Sequence, residues 1–235
     1  MHDDIQKNIK KNLANIKQSV LEYSTKRGIA CDDVTLVAIS KYFPAEYILA
    51  AFEQGQVSFG ESRAQELVSK QEIIKKDIDW HFIGHLQTNK VKYILNRVKL
   101  LHSLDSLKLA KEIDFQCGKI DSKMDVLLQV NISKENTKFG IFEEEIYEFI
   151  EAVSKLKNVH VKGLMTMAPF TQDERVIADT FRSLRKRFDD LLNQDLPNNI
   201  EMRYISMGMS KDYKIAIQEG SNMIRIGSDI FGKRT

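Results

Sequence analysis

The sequence predicts an α/β protein, a single (β/α)8 TIM barrel over residues 1–235 with an additional helix at its N-terminus. Three features carry this expectation. Eight short apolar segments rich in β-branched residues recur along the chain, the pattern of parallel strands buried on both faces. Segments with helical periodicity lie between them, and strand followed by helix, repeated, implies a parallel sheet. No composition break or Gly/Ser linker divides the 235 residues, and they hold only three prolines. Eight units in this length favour closure into a barrel over an open doubly wound sheet.

Taken in order, Ile5, Ile9, Leu13, Ile16 and Val20 recur at helical spacing, so the chain opens with an amphipathic helix that ends near Gly28. Val34 to Lys41 reads as the first strand, with Pro44 marking the turn out of it. The further strands are expected at Val57 to Gly60, Trp80 to Gly84, Leu100 to Leu104, Asp125 to Asn131, His160 to Met167, Met202 to Met209 and Met223 to Ile226. Helical periodicity is clearest at Ile177, Phe181, Leu184, Phe188 and Leu191, and helix starts are expected at Ser62-x-x-Gln65 and Thr171-x-x-Glu174. The acidic run Glu143 to Glu145 suits a first helical turn, and Arg182, Arg185, Lys186 and Arg187 suit the outer face of a helix.

Composition narrows the partners. With 35 basic and 33 acidic residues, a net charge of +2 gives no strong field for nucleic acid or a membrane surface, so a small molecule is expected. The first residues, Met1 to Lys11, are polar and lack the apolar core of a secretory signal, and no stretch approaches a membrane span. A cytoplasmic protein follows from this reading. Cys31 and Cys117 are far apart, without metal-ligand spacing, and suit a reducing compartment. His81 and His85 share a spacing with a zinc-protease motif, but they lack the glutamate after the first histidine and fall on a strand, so no metal is expected. His2, His102 and His160 have no partner visible in sequence and read as ordinary histidines.

In a barrel, functional residues belong at the carboxyl ends of the strands. Lys41 closes the first strand after Val37-Ala-Ile-Ser40, where an amine leaves an apolar wall. Desolvation there would lower its pKa and make it a nucleophile toward an aldehyde, although a lysine that only ends a strand and reaches solvent is the bland alternative. The last two strands end in Ser206-Met-Gly-Met-Ser-Lys-Asp212 and Arg225-Ile-Gly-Ser228, at the place where barrels commonly bind phosphate. Gly208 and Gly227 would allow backbone to approach an anion, and Ser210 is placed to cap the following helix and share an anion with its first N–H groups; both could equally be plain turn chemistry. Arg225, between Ile224 and Ile226, needs either an anion or a salt-bridge partner. The polar loop from Asn131 to Gly140 and the strand ends Gly60-Glu-Ser-Arg63 and His81 to Lys90 complete the candidates.

Several of these blocks together resemble one family. Ala38-Ile-Ser-Lys41, Phe59-Gly-Glu61, His81-Phe-Ile-Gly84 with Leu86-Gln87 and Asn89-Lys90, Val130-Asn131, Lys138-Phe-Gly140, Gly163-Leu-Met165, Met207-Gly-Met-Ser210 and Arg225-Ile-Gly227 with Ile230-Phe-Gly232 resemble the pyridoxal phosphate homeostasis proteins, in family order and over essentially the whole chain. That family is similar in fold to the barrel domain of alanine racemase. The resemblance implies pyridoxal 5'-phosphate as cofactor, held as an imine on Lys41, with Arg225 facing the pyridine nitrogen and Ser210, Gly227 and Ser228 holding the phosphate. Asn131 and Met209, in matching blocks, are counted with the cofactor-binding residues. One departure stands at Ser62, where the family usually has asparagine; Ser62 is still expected to cap a helix.

The resemblance implies a non-catalytic, monomeric carrier that keeps the cofactor sequestered, with pyridoxal phosphate-dependent apoenzymes as candidate recipients. An amino-acid racemase-like enzyme is the alternative. It needs a second acid/base group and, in racemases, a further C-terminal β-domain, whereas this sequence stops at Thr235 just after the eighth strand. A class I aldolase would use a Schiff-base lysine with no cofactor and carry no bound aldehyde.

Overall fold

A computed structural model describes residues 2–135 and 138–232. Helix α1 (His2–Arg27) precedes eight strands: β1 (Thr35–Ile39), β2 (Ser58–Glu61), β3 (Asp79–Phe82), β4 (Leu100–Leu104), β5 (Met124–Gln129), β6 (Val159–Met165), β7 (Ile200–Met209) and β8 (Met223–Ile226). All pair in parallel with their sequence neighbours, and β8 pairs back onto β1, closing the barrel. The intervening helices are α2 (Ala45–Phe52), α3 (Ala64–Ile73), α4 (Leu107–Lys119), α5 (Ile146–Ser154), α6 (Glu174–Leu192) and α7 (Tyr213–Gln218), with a short α8 (Ser228–Phe231) after β8. Between β3 and β4 the connection is a 3-10 helix, Thr88–Tyr93.

Strand alternation sorts the core into two shells. Ala38, Leu101, Leu128, Leu164, Ile205 and Ile224 belong to the large cluster between strands and helices. Val37, Ile39, Leu100, Leu127, Met165 and Met223 form a smaller cluster that fills the barrel's interior. Gly60 belongs to this inner packing, since a Cβ there would lie 2.5 Å from Ile39 Cδ1. At Gly163 the β6–β7 register shifts, φ is +140°, and a Cβ would come within 1.8 Å of the Tyr204 carbonyl oxygen.

Helix α1 ends as its sequence suggests. Gly28 takes a φ of +77°, and the amides of Gly28 and Ile29 reach back to the carbonyls of Thr25 and Ser24, a Schellman closure. Its apolar stripe, Ile9, Leu13, Ile16 and Val20, is buried. The helix packs on α2, α7 and α8 and so straps the seam where β8 meets β1. Asn12 donates to the Ile230 carbonyl at 2.9 Å and Arg27 to that of Ser221 at 3.3 Å. With α8 only four residues long, α1 covers wall that a full eighth helix would otherwise cover. Among the described residues, no helix is long and apolar enough to cross a membrane.

The expected helix caps are displaced. Arg63, not Ser62, is the N-cap of α3 and makes no side-chain cap bond. Asp173, not Thr171, caps α6, accepting from the Arg175 amide at 2.9 Å, while the Thr171 hydroxyl accepts from the Asp173 amide at 3.1 Å. In both loops the helix begins one or two residues later than the serine or threonine, and the residue at the N-cap, Arg63 or Asp173, is itself extended.

Candidate functional site

The carboxyl ends of the strands open into a cleft of about 1130 Å3, at the upper end of what small-molecule sites occupy. Lys41 lines it from the end of β1, Met209 and Ser210 from the end of β7, and Arg225, Gly227 and Ser228 from β8 and its exit. Six of the seven residues singled out from the sequence therefore meet in one place. Asn131 does not join them: it is buried, and its amide donates to the carbonyls of Glu135 (3.0 Å) and Lys138 (3.4 Å), bracing its own loop. Apolar wall comes from Ile39, Ile83, Met165 and Met167.

Ser210 has a different part from the one its sequence position suggests. Asp212 is the N-cap residue of α7, and its carboxylate accepts from the Met209 amide at 2.5 Å, while its own amide donates back to the Met209 carbonyl at 3.0 Å. This closes the 209–212 turn and leaves the Ser210 hydroxyl on the cleft side, where it accepts a long bond of 3.4 Å from the Gly227 amide. Ser210 and Gly227 are thus adjacent across the β7 and β8 exits. Burial pushes the Asp212 carboxyl above its usual range, against the Met209 amide and the Arg225 charge, which pull it down.

Arg225 is buried to 5% exposure, and no described residue makes an ion pair with it. Burial draws its pKa down to about 10, with Asp212 opposing, so it remains a cation at neutral pH. One nitrogen donates to Ser206 Oγ at 2.5 Å and another to the Thr166 carbonyl at 3.0 Å. Its remaining N–H groups, on a residue that lines the cleft, suit an acceptor on a ligand.

Behind Arg225 a polar chain runs through the barrel's interior. Ser206 Oγ lies 3.1 Å from His102 Nδ1, and His102 Nε2 lies 2.8 Å from His81 Nδ1. Hydrogen-bond direction follows from the cation at one end. Arg225 can only donate, so Ser206 Oγ accepts, and the one acceptor that the described residues place near the serine's own buried proton is His102 Nδ1. His102 then carries its proton on Nε2 and gives it to His81 Nδ1, which leaves both rings neutral and protonated on Nε2. Burial supports neutrality: His81 is lowered to about 4, and His102 lies well below the ordinary histidine value.

A second buried network lies outside the wall, between the end of β2 and α3. Lys70 Nζ donates to Glu61 Oε1 (2.6 Å), Glu66 Oε1 (2.7 Å) and the Ser40 carbonyl (2.9 Å). Glu61 also accepts from the Ser40 hydroxyl at 2.7 Å, and Glu66 from the Tyr42 amide at 2.6 Å. His85 belongs to neither network; it meets Asp105 at 2.7 Å and stacks on Phe139, so His81 and His85 face different partners.

Sequence reasoning treated His102 as ordinary and passed over Ser206 and Lys70 as functional residues. Only the polar character of His102 inside an apolar strand signalled it, and Glu66 and Lys70 look like a surface i,i+4 pair.

Comparison with known proteins places this arrangement. The family model described as "Alanine racemase, N-terminal domain" matches residues 7–235. A pyridoxal phosphate homeostasis protein of Aquifex aeolicus is 39% identical over 223 residues, 94% of this chain and 96% of that one. The chain belongs to the pyridoxal phosphate homeostasis protein family. Solved structures share the barrel closely. PipY of Synechococcus elongatus, solved with PLP bound, aligns with a TM-score of 0.82 at 30% identity, covering 95% of this chain and 100% of that one. An unknown protein from Bifidobacterium adolescentis aligns at 0.92 and 30% identity, covering 97% and 96%.

Proposed function

We propose that this chain is a cytoplasmic pyridoxal 5'-phosphate-binding protein, a monomer that holds the cofactor as an imine on Lys41 and serves its homeostasis and its supply to pyridoxal phosphate-dependent apoenzymes. The observation that carries the reading is the buried Arg225, with which no described residue makes an ion pair, in the same cleft as Lys41 and on the strand paired with β1. With Asp212 acting on it only at a distance and two of its N–H groups given to Ser206 and Thr166, Arg225 has further N–H groups for an acceptor from elsewhere, such as a heteroaromatic nitrogen or an anion. The Ser210 hydroxyl and the backbone of Gly227 and Ser228 would hold phosphate oxygens, since amides of a first helical turn have no acceptor within their own helix. Family membership and the PLP-bound relative support the same ligand.

When bound, the cofactor supplies an aldehyde and an electron-withdrawing ring. Lys41 is the residue that would hold the cofactor at its aldehyde, for which its amine must be present in the neutral, nucleophilic form. Arg225 would hold the ring nitrogen with a donor that does not give up its proton, which would leave that nitrogen unprotonated and the ring a weak electron sink. A weak sink disfavours amino-acid turnover, and racemisation with an arginine in that place would still need a second acid/base group on the opposite face of the substrate.

Borohydride reduction of the loaded protein followed by peptide mapping tests the linkage. A pyridoxyl adduct on Lys41 alone is expected, and an adduct on Lys90, Lys138 or Lys211 in its place would overturn the assignment.

A further inference from the structure

The turn that presents Lys41 is not one its sequence would choose. The Phe43 amide donates to the Ser40 carbonyl at 3.0 Å, which closes a four-residue turn with Lys41 second and Tyr42 third. Tyr42 takes a φ of +70°, the left-handed region that third turn positions normally reserve for glycine or asparagine. A bulky residue there is held against its conformational preference, and such strain persists only where the surroundings over-determine it.

The surroundings that do so are the buried network beneath the turn. The residue before Lys41 is tied twice, its carbonyl to Lys70 and its hydroxyl to Glu61, and the residue after it is tied by its amide to Glu66. All these ties converge on one ammonium, since both carboxylates that grip the turn are themselves held by Lys70 within 2.7 Å. The Lys70 side chain is 8% exposed and Glu61 fully buried. One oxygen of Glu61 takes every hydrogen bond the carboxylate has among the described residues, and the other, Oε2, has none. Without Lys70, two carboxylates would face each other under the turn with no cation between them, and the Ser40 carbonyl would lose a charged donor.

We infer that Lys70 is a positioning residue for Lys41: through Glu61, Glu66 and the Ser40 carbonyl it fixes the backbone on both sides of Lys41 in the left-handed turn that aims this side chain into the cleft. The inference rests on the reading that Lys41 binds the cofactor covalently. Lys70 lies outside the barrel wall, is not among the residues lining the cleft, and acts only through the turn.

Its effect therefore falls on covalent capture and not on recognition of ring or phosphate. Two ligands separate these: pyridoxal 5'-phosphate, followed by its imine absorbance, and pyridoxine 5'-phosphate, whose alcohol cannot form an imine, followed by calorimetry. In Lys70→Met, pyridoxine phosphate affinity is expected to stay within about twofold of the parent, while the rate and extent of imine formation fall about tenfold or more, as for a misplaced reacting group. Lys70→Arg, which keeps the charge, should fall between. Glu66→Ala removes the Tyr42 anchor at a side chain 20% exposed, and decides the matter if Lys70→Met does not fold. Imine formation at the parent's rate and extent in the folded variants, or a proportional loss for both ligands, would overturn the inference. A parent protein that forms no imine at Lys41 would overturn the underlying reading, and the inference with it.

Discussion

Replacing Ser206 with alanine tests the interior chain most directly. The hydroxyl is fully buried and is the described link between a charged donor, Arg225, and a neutral acceptor, His102 Nδ1. Its removal strands both groups in the barrel's interior. A lost hydrogen bond to a charged group is worth roughly 1.5–3 kcal/mol and an unsatisfied neutral group costs roughly 1–3, so about 3–5 kcal/mol is expected for the pair. For a chain of this length each kcal/mol corresponds to roughly 2–4 °C in midpoint, which puts the fall in Tm at about 6–20 °C. Thermal unfolding followed by circular dichroism, without ligand, measures it. A loss greater than that of His102→Phe alone is not expected in the Ser206→Ala, His102→Phe double variant beyond the Arg225 share, because one stranded partner has gone. A Tm within about 2 °C of the parent in Ser206→Ala would refute the chain as drawn.

Further outcomes follow from other features. His81 and His102 take up protons readily in the unfolded chain but stay neutral when folded, His81 down to about 4. The unfolded state thus binds more protons below about pH 6.5, and stability is lost as pH falls from there toward 4, by up to about 1.4 kcal/mol per pH unit for each histidine. Glu61 and Asp212, raised by burial, work in the opposite direction. The histidine share is read as the difference in slope between the parent and His81→Gln, and equal slopes between pH 7 and 5 would rule it out. Gly163→Ala drives a Cβ onto the Tyr204 carbonyl oxygen and should destabilise by more than about 4 kcal/mol, seen as loss of soluble folded protein; normal yield and Tm would contradict the strand geometry. Incubation with D- and L-alanine in deuterated water should give no multiple-turnover loss of the α-proton by NMR, and turnover that vanishes in Lys41→Ala would make the protein an enzyme.

The strands were legible because parallel barrel strands are buried on both faces and so appear as nearly unbroken apolar runs; Leu100 to Leu104 and Met223 to Ile226 fall where the pattern places them. That Ser210, Arg225, Gly227 and Ser228 meet in one cleft at the ends of β7 and β8 was legible, because a barrel gathers its strand ends at one rim. Caps were less so, since Ser62 and Thr171 have the right chemistry but stand one or two positions too early. The His81–His102–Ser206–Arg225 chain was not legible, because it joins β3, β4, β7 and β8 through a space that only closure creates. Lys70 was hidden for a different reason: spaced as a solvent-facing ion pair, it sits on the helix face turned toward β2.

The closing pair of strands also sets an order of events during synthesis. Val37, four residues before Lys41, lies in register with Arg225, so the amine and the guanidinium become neighbours only when the two ends of the chain are joined. A nascent chain exposes Lys41 long before residue 225 has left the ribosome, and during that interval it has the reactive group without the grip. If Lys41 and Arg225 hold the ligand as proposed, its capture would be a late event that reports completion of the eighth strand, and binding would stabilise the same seam that completes the fold.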